Sequence, residues 1–171
     1  IMHGCNGHMG QVITGLIKAD EGIELVAGID KYTGIANDYP VFESLEKCDV
    51  EADVIIDFSN AAAADDLLTY CEEKKMPVVL CTTGLSEEQL AKILEAAKKT
   101  AVLKSANMSL GINLLMKLLK EATKVLAPAG YDMEIVEKHH NQKLDAPSGT
   151  AIALADSMNE AMDEAYHYVY D

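Results

Sequence analysis

The sequence predicts an α/β protein built on a doubly wound parallel sheet. Short apolar stretches rich in β-branched residues alternate with segments of helical period, and this alternation is typical of parallel strands covered by helices. A glycine-rich turn follows the first apolar stretch, and an aspartate ends the second. Both features favour a sheet whose ligands bind at the carboxyl ends of its strands.

The elements follow one another in a regular order. Ser86 and Gln89 form a capping box that predicts a helix running to Lys99, and a second helix carries the apolar stripe between Leu115 and Leu126. The first turn predicts a helix that reaches about Ala19. The predicted strands are residues 1–3, 24–30, 53–58, 77–81, 101–105, 131–140 and 166–170.

The ends of the chain predict an incomplete protein. The first strand has three residues before Gly4, where five or six are typical, and the last predicted strand, 166–170, has nothing after it to pair with. We place a domain boundary near Asn107, which divides the chain into a first domain, 1–107, and the start of a second, 108–171.

Charge and composition exclude several classes of partner. The 171 residues include 28 acidic and 14 basic side chains, for a formal net charge of −14, which disfavours nucleic-acid binding. No apolar run approaches the roughly 20 residues that span a bilayer. Four cysteines lie outside any CxxC pattern, which favours reduced thiols. We expect a cytoplasmic protein with no nucleic-acid or membrane partner.

The glycine turn is the first candidate binding site. It reads Gly4-Cys-Asn-Gly7-His-Met-Gly10, and free N–H groups at the start of the following helix could hold a pyrophosphate. Asp30 lies 20 residues after Gly10, where dinucleotide folds place the carboxylate that accepts ribose hydroxyls. Lys31 is either a surface charge or a partner for a 2′-phosphate. These residues favour NADH, with NADPH tolerated.

Three further segments follow predicted strands. They are Asp57–Ser59, Cys81–Gly84 and Ser105–Met108. Because ligands of doubly wound sheets bind beyond the carboxyl ends of the strands, these segments are expected to line the same crevice. Their small hydroxyl side chains and glycine would let a flat nicotinamide ring lie against the backbone.

A cluster of basic side chains forms the second candidate site. His139, His140 and Lys143 gather nitrogen donors in an acidic protein, which suits an anionic substrate. Ser148 is a good N-cap, so the amides of Gly149 and Thr150 would be free to bind a carboxylate. Structural histidines or simple helix capping are the alternatives. Metal binding by the histidines and a nearby aspartate is disfavoured, because no HxH or HxxxH spacing occurs.

These motifs together resemble one family. The glycine turn, Asp57-Phe-Ser59, Thr82-Thr-Gly84, Ser105-Ala-Asn107 and the run Glu137-Lys-His-His-Asn-Gln-Lys143-Leu-Asp-Ala-Pro-Ser-Gly-Thr150 are similar to those of 4-hydroxy-tetrahydrodipicolinate reductases. The resemblance implies a Rossmann-type domain followed by an α+β domain for substrate binding and homotetramer assembly, here truncated. It also implies reduction of a cyclic, anionic dicarboxylate with NADH or NADPH in diaminopimelate and lysine biosynthesis.

The resemblance also assigns roles to single residues. His139 would donate the proton, with Lys143 as its partner in acid catalysis. The substrate carboxylates would be held by His140, Gly149 and Thr150. The cofactor would be bound by Gly4, Cys5, Asn6, Gly7, His8, Met9, Asp30, Lys31, Cys81, Thr82, Thr83, Ser105, Ala106, Asn107 and Met108.

The chain departs from the family pattern at three of these positions. Cys81 stands where glycine is common, His8 replaces a basic residue and Met108 an aromatic one. Two other functions also fit part of the sequence. Another nicotinamide-dependent dehydrogenase would explain the glycine turn but not the histidine cluster. A non-catalytic NAD(H)-binding regulatory module would bind both ligands without turnover.

Overall fold

The computed structural model describes residues 1–139, 141 and 146–170. The chain divides into two compact units, Ile1–Ser105 and Ala106–Asp171. Each unit is described by itself below.

The first unit is built on six parallel strands. Their order across the sheet is β3-β2-β1-β4-β5-β6, and Met2 of β1 lies opposite Gly28 of β2 and Ile56 of β4. This order reverses direction between β1 and β4, as expected of a doubly wound sheet, and the predicted α/β class is confirmed. The strands are β1 (Met2–His3), β2 (Gly28–Ile29), β3 (Val41–Phe42), β4 (Ile55–Asp57), β5 (Val78–Leu80) and β6 (Val102–Lys104).

Three helices belong to this unit: α1 (His8–Lys18), α2 (Ala64–Lys74) and α3 (Glu87–Ala96). The predicted capping box is present at the start of α3. The Ser86 hydroxyl accepts the Gln89 N–H at 3.3 Å, and the Gln89 side chain accepts the Ser86 N–H at 3.0 Å. Two short 3₁₀ turns, Leu45–Lys47 and Ala61–Ala63, complete the connections.

The core of the first unit lies between the sheet and its helices. Ile29, Ile55 and Leu80 from the strands and Leu67 and Leu68 from α2 are fully buried. Strands covered by helices bury both of their faces, which is why these strands read as continuous apolar runs in the sequence.

The second unit contains α4 (Leu110–Leu126) and α5 (Gly149–Glu160). Each begins at a serine: Ser109 accepts the Ile112 N–H at 3.4 Å, and Ser148 accepts the Ala151 N–H at 3.0 Å. The predicted N-cap at Ser148 is therefore confirmed. None of the helices in the described part of the chain has the length and apolarity needed to cross a membrane.

The predicted strands 131–140 and 166–170 are wrong for the residues that the structure describes. A strand needs a neighbouring backbone to hydrogen-bond with, whereas the backbone of Tyr166 is hydrogen-bonded to a side chain. Asn159 accepts the Tyr166 N–H at 2.9 Å and donates to the Tyr166 carbonyl at 3.0 Å. Both segments instead line an open cavity of about 840 Å³ beside α5.

Two further differences concern the edge of the sheet. β3 was not predicted, because its two residues follow Pro40 in a polar stretch that shows no alternation. The predicted strand 24–30 is shortened to Gly28–Ile29, since its neighbour β3 offers only two residues to pair with.

Candidate functional site

The glycine turn joins β1 to α1 and has no room for larger residues at two positions. Gly4 has a φ of +78°, and a Cβ added there would lie 2.6 Å from the Phe58 carbonyl oxygen. A Cβ at Gly10 would lie 2.2 Å from the carbonyl oxygen of Gly4. The turn is therefore compact because glycine occupies both positions.

Helix α1 begins at the outer part of this turn. Its N-cap is Gly7, which makes no side-chain capping bond. Gly7, His8 and Met9 are exposed, and no N-cap side chain occupies the first-turn amides of α1. Such a helix start attracts anions.

Asp30 fastens the turn to the end of β2. One carboxylate oxygen accepts the Asn6 N–H at 2.9 Å, and the other accepts the Tyr32 N–H at 2.9 Å. The structure therefore brings the predicted phosphate-binding turn and the predicted ribose acceptor together. Lys31, next in the chain, is exposed.

A network of amides supports the turn from the side, and sequence reasoning missed it. Asn37 donates to the Asn6 side chain at 2.8 Å, and Gln11 donates both to Asn37 at 3.1 Å and to the Cys5 carbonyl at 2.9 Å. Asn37 lies in a loop of polar residues, where nothing in the sequence distinguishes it from its neighbours.

The ends of β1, β4 and β5 meet at a buried carboxylate. Asp57 accepts the hydroxyl protons of Ser59 and Thr82, each at 2.6 Å. His3 Nδ1 lies 2.8 Å from Asp57 Oδ1, although its direction departs from that of a well-aligned hydrogen bond. Burial by itself would raise the pKa of Asp57, but the contacts with His3, Ser59 and Thr82 outweigh it and lower the pKa.

Sequence reasoning placed Asp57 at a strand end without foreseeing this role, and it did not single out His3. An aspartate directly after an apolar run, followed two residues later by serine, was the available signal. Thr82, a predicted cofactor-binding residue, is buried against Asp57, whereas Thr83 is exposed.

Cys81 also lies at this edge of the sheet. Its side chain is buried, and burial, followed by the negative charge of Asp57, raises the pKa of its thiol to about 11. The thiol is therefore neutral near pH 7 and behaves as a small apolar group. Ser105 follows β6, where its N–H bonds the Leu80 carbonyl at 3.0 Å.

In the second unit, Asn107, a predicted cofactor-binding residue, contacts Thr150, a predicted substrate-binding residue. The Asn107 side chain donates to the Thr150 hydroxyl at 3.1 Å and accepts the Ser109 N–H at 2.8 Å. The segment before α4 is thereby tied to the first turn of α5. Ala106 and Met108, which flank Asn107, are exposed.

The carboxylate of Glu137 lies between His139 and the start of α5. Its Nδ1 is 3.6 Å from Glu137 Oε2, and 38% of its side chain is exposed. Gly149 is the first residue of α5 and is open to solvent. His140 and Lys143, the other members of the predicted cluster, and Asp145 lie outside the described residues.

Two family models cover almost the whole chain. The model for the N-terminal part of dihydrodipicolinate reductase matches residues 1–108, and that for its C-terminal part matches residues 111–168. A solved structure, dipicolinate-bound dihydrodipicolinate reductase from Paenisporosarcina sp. TG-14, is similar over 98% of this chain and 68% of that one. Its TM-score is 0.75 and its sequence identity 30%.

Curated relatives lead to the same family. A 4-hydroxy-tetrahydrodipicolinate reductase from Caldanaerobacter subterraneus subsp. tengcongensis is 52% identical over 99% of this chain. One from Clostridium tetani is 50% identical over 98% of this chain. The chain spans 66% and 65% of the lengths of these two relatives. With both family models matched in sequence order, the chain belongs to the dihydrodipicolinate reductase family.

Proposed function

We propose that the protein reduces 4-hydroxy-tetrahydrodipicolinate to tetrahydrodipicolinate with NADH or NADPH, in diaminopimelate and lysine biosynthesis. The observation that carries the proposal is the position of the glycine turn. At the carboxyl edge of the sheet, the Asn6 N–H of this turn is hydrogen-bonded to the Asp30 carboxylate. The names of the relatives supply the substrate. We also propose, from the resemblance, that the full-length protein is a cytoplasmic homotetramer.

The residues of the turn fit a dinucleotide. Gly4, where a Cβ would lie 2.6 Å from a backbone oxygen, keeps the turn tight, and Gly7 leaves the start of α1 without a side-chain cap. The turn from Gly4 to Met9 would hold the pyrophosphate. When bound, the reduced nicotinamide supplies a hydride. Cys81 to Thr83 and Ser105 to Met108 would line its ring.

Charge at the end of β2 supports a preference for NADH. The Asp30 carboxylate is fixed by two backbone N–H groups, and its negative charge would repel a 2′-phosphate. Lys31 is exposed beside it and could compensate in part. We therefore propose NADH as the preferred cofactor, with NADPH tolerated.

The second unit would supply the proton and hold the substrate. The conversion releases the 4-hydroxyl group as water; hydride addition to the conjugated ring then leaves an electron-rich enamine that must gain a proton, and the His139 imidazole is the proposed donor. Lys143 would add a fixed positive charge. His140 and the first-turn amides at Gly149 and Thr150 would bind the carboxylates, since the start of α5 favours anions.

The test is oxidation of NADH by the full-length protein with freshly generated substrate, followed by loss of nicotinamide absorbance. His139→Gln is expected to lower kcat by about 10²-fold and to leave NADH affinity unchanged. His167→Gln changes an exposed histidine of the same unit and serves as the control. Binding of NADH without any oxidation would instead support a regulatory module.

A further inference from the structure

A single carboxylate connects the proposed proton donor to the first turn of α5. Glu137 Oε1 accepts the Ser148 N–H at 2.8 Å, and Glu137 Oε2 accepts the Ser148 hydroxyl proton at 2.5 Å. The same Oε2 lies 3.6 Å from His139 Nδ1. None of the roles assigned above involves Glu137.

The contact with Ser148 fixes the position of the carboxylate. The Ser148 hydroxyl gives its proton to Glu137 and accepts the Ala151 N–H, so its hydrogen-bonding capacity is used on both sides. Ser148 is buried, and only 28% of the Glu137 side chain is exposed. The carboxylate also lies at a helix start, where negative charge is favourable.

This fixed carboxylate faces one nitrogen of the imidazole. Residues 137 and 139 are two apart, and their side chains lie side by side, with Glu137 Oε2 3.6 Å from His139 Nδ1. A carboxylate beside Nδ1 favours the tautomer that carries a proton there, as with histidines oriented by a buried acid. Nε2 is then the nitrogen left to exchange a proton with a ligand.

We propose that Glu137 is the positioning residue for His139. It selects the ring tautomer, and through Ser148 it holds the imidazole at a set distance from the amides of Gly149 and Thr150. This inference rests on the proposed function, because it assigns a partner to the proposed acid. Proton transfer and carboxylate binding are thereby coupled through one side chain.

The experiment measures kcat and KM in the full-length enzyme for Glu137→Gln, Ser148→Ala and the double variant Glu137→Gln with His139→Gln. Glutamine keeps the shape and one acceptor for Ser148 but loses the charge. We expect Glu137→Gln to lower kcat by about 10- to 100-fold with little change in the KM for NADH. Ser148→Ala removes the hydroxyl cap but keeps the backbone N–H that binds Glu137 Oε1, so the carboxylate stays beside His139 and kcat should fall much less.

The double variant separates positioning from simple support of the fold. If Glu137 acts through His139, the double variant is no slower than His139→Gln alone, because the effects of coupled residues do not add. Glu121→Gln, on the exposed face of α4, is the control for loss of one surface carboxylate and should leave kcat unchanged.

Three outcomes overturn the inference. Equal losses of kcat in Glu137→Gln and Ser148→Ala would show that Glu137 only stabilises the start of α5. Additive losses in the double variant would show that it acts independently of His139. A wild-type enzyme that binds NADH and never oxidises it would remove the proposed function itself, a result that the first two outcomes do not produce.

Discussion

Thr82 donates its hydroxyl proton to Asp57 across 2.6 Å, and both side chains are buried. Asp57 is the last residue of β4, and Thr82 follows β5 by two positions. The same carboxylate takes the Ser59 hydroxyl proton, so the ends of two neighbouring strands share one acceptor. A buried carboxylate is tolerated only while its partners are present.

Asp57→Asn is therefore expected to lower the free energy of unfolding by about 3 kcal/mol, because an amide loses the charge and one acceptor oxygen. Urea unfolding at neutral pH measures the change. Asp66→Asn, an exposed residue of α2, is the matched control and should change stability by less than about 0.5 kcal/mol. A similar small effect at both positions would contradict the role given to Asp57.

The lowered pKa of Asp57 predicts a loss of stability in acid. The folded protein binds this proton less readily than the unfolded chain does, so the contribution is complete above the ordinary carboxyl pKa of 3.8. It declines as the pH falls below that value toward the lowered pKa. Unfolding free energies measured from pH 6 downward should fall less steeply in Asp57→Asn; parallel curves would refute the assignment.

Gly4→Ala and Gly15→Ala should change stability in opposite directions. Alanine at position 4 would need a φ of +78° and would meet the Phe58 carbonyl, which costs at least about 2 kcal/mol and weakens NADH binding. At position 15, within α1, a Cβ meets nothing within 4 Å, and the helix gains about 0.5 to 1 kcal/mol. Thermal unfolding of both variants checks the sign.

Three of the cysteines should resist alkylation in the folded protein. Burial is the main cause that raises the thiol pKa of Cys5 and Cys81 to about 11 and that of Cys71 to about 12. Thiolates are therefore scarce near pH 7. Cys48, which is half-buried, should react with iodoacetamide first, as followed by mass spectrometry. Rapid native labelling of Cys71 would contradict this expectation, and urea should remove the difference.

The central strands of the sheet were predictable because their side chains are largely buried. The run that became β5 is apolar over its full length, and that of β4 is apolar up to its last residue, Asp57. The capping box at Ser86 marks a helix by local chemistry alone. β3 carries neither signal, and residues 131–139 show that apolar character does not supply a hydrogen-bonded neighbour. Pairing depends on distant segments, which local patterns do not report.

Part of the candidate site could likewise be predicted from the sequence, and part of it could not. The glycine turn and Asp30 were predictable because their spacing reflects a fixed path between strand and helix. The partners of Asp57 and Glu137 were not, since His3 lies 54 positions before Asp57 and Ser148 lies 11 positions after Glu137. Hydrogen bonds over such separations arise only once the elements are packed.

The shared acceptor at the sheet edge has a consequence for how this sequence can evolve. His3, Asp57 and Thr82 belong to three different strand ends; Thr82 donates to the Asp57 carboxylate, and His3 Nδ1 lies 2.8 Å from it. Replacing Asp57 leaves the buried Thr82 hydroxyl without its carboxylate acceptor, and replacing Thr82 leaves Asp57 Oδ2 without its donor. Drift at these positions should therefore be concerted, with an apolar residue at position 57 acceptable only after positions 3 and 82 have lost their polar groups.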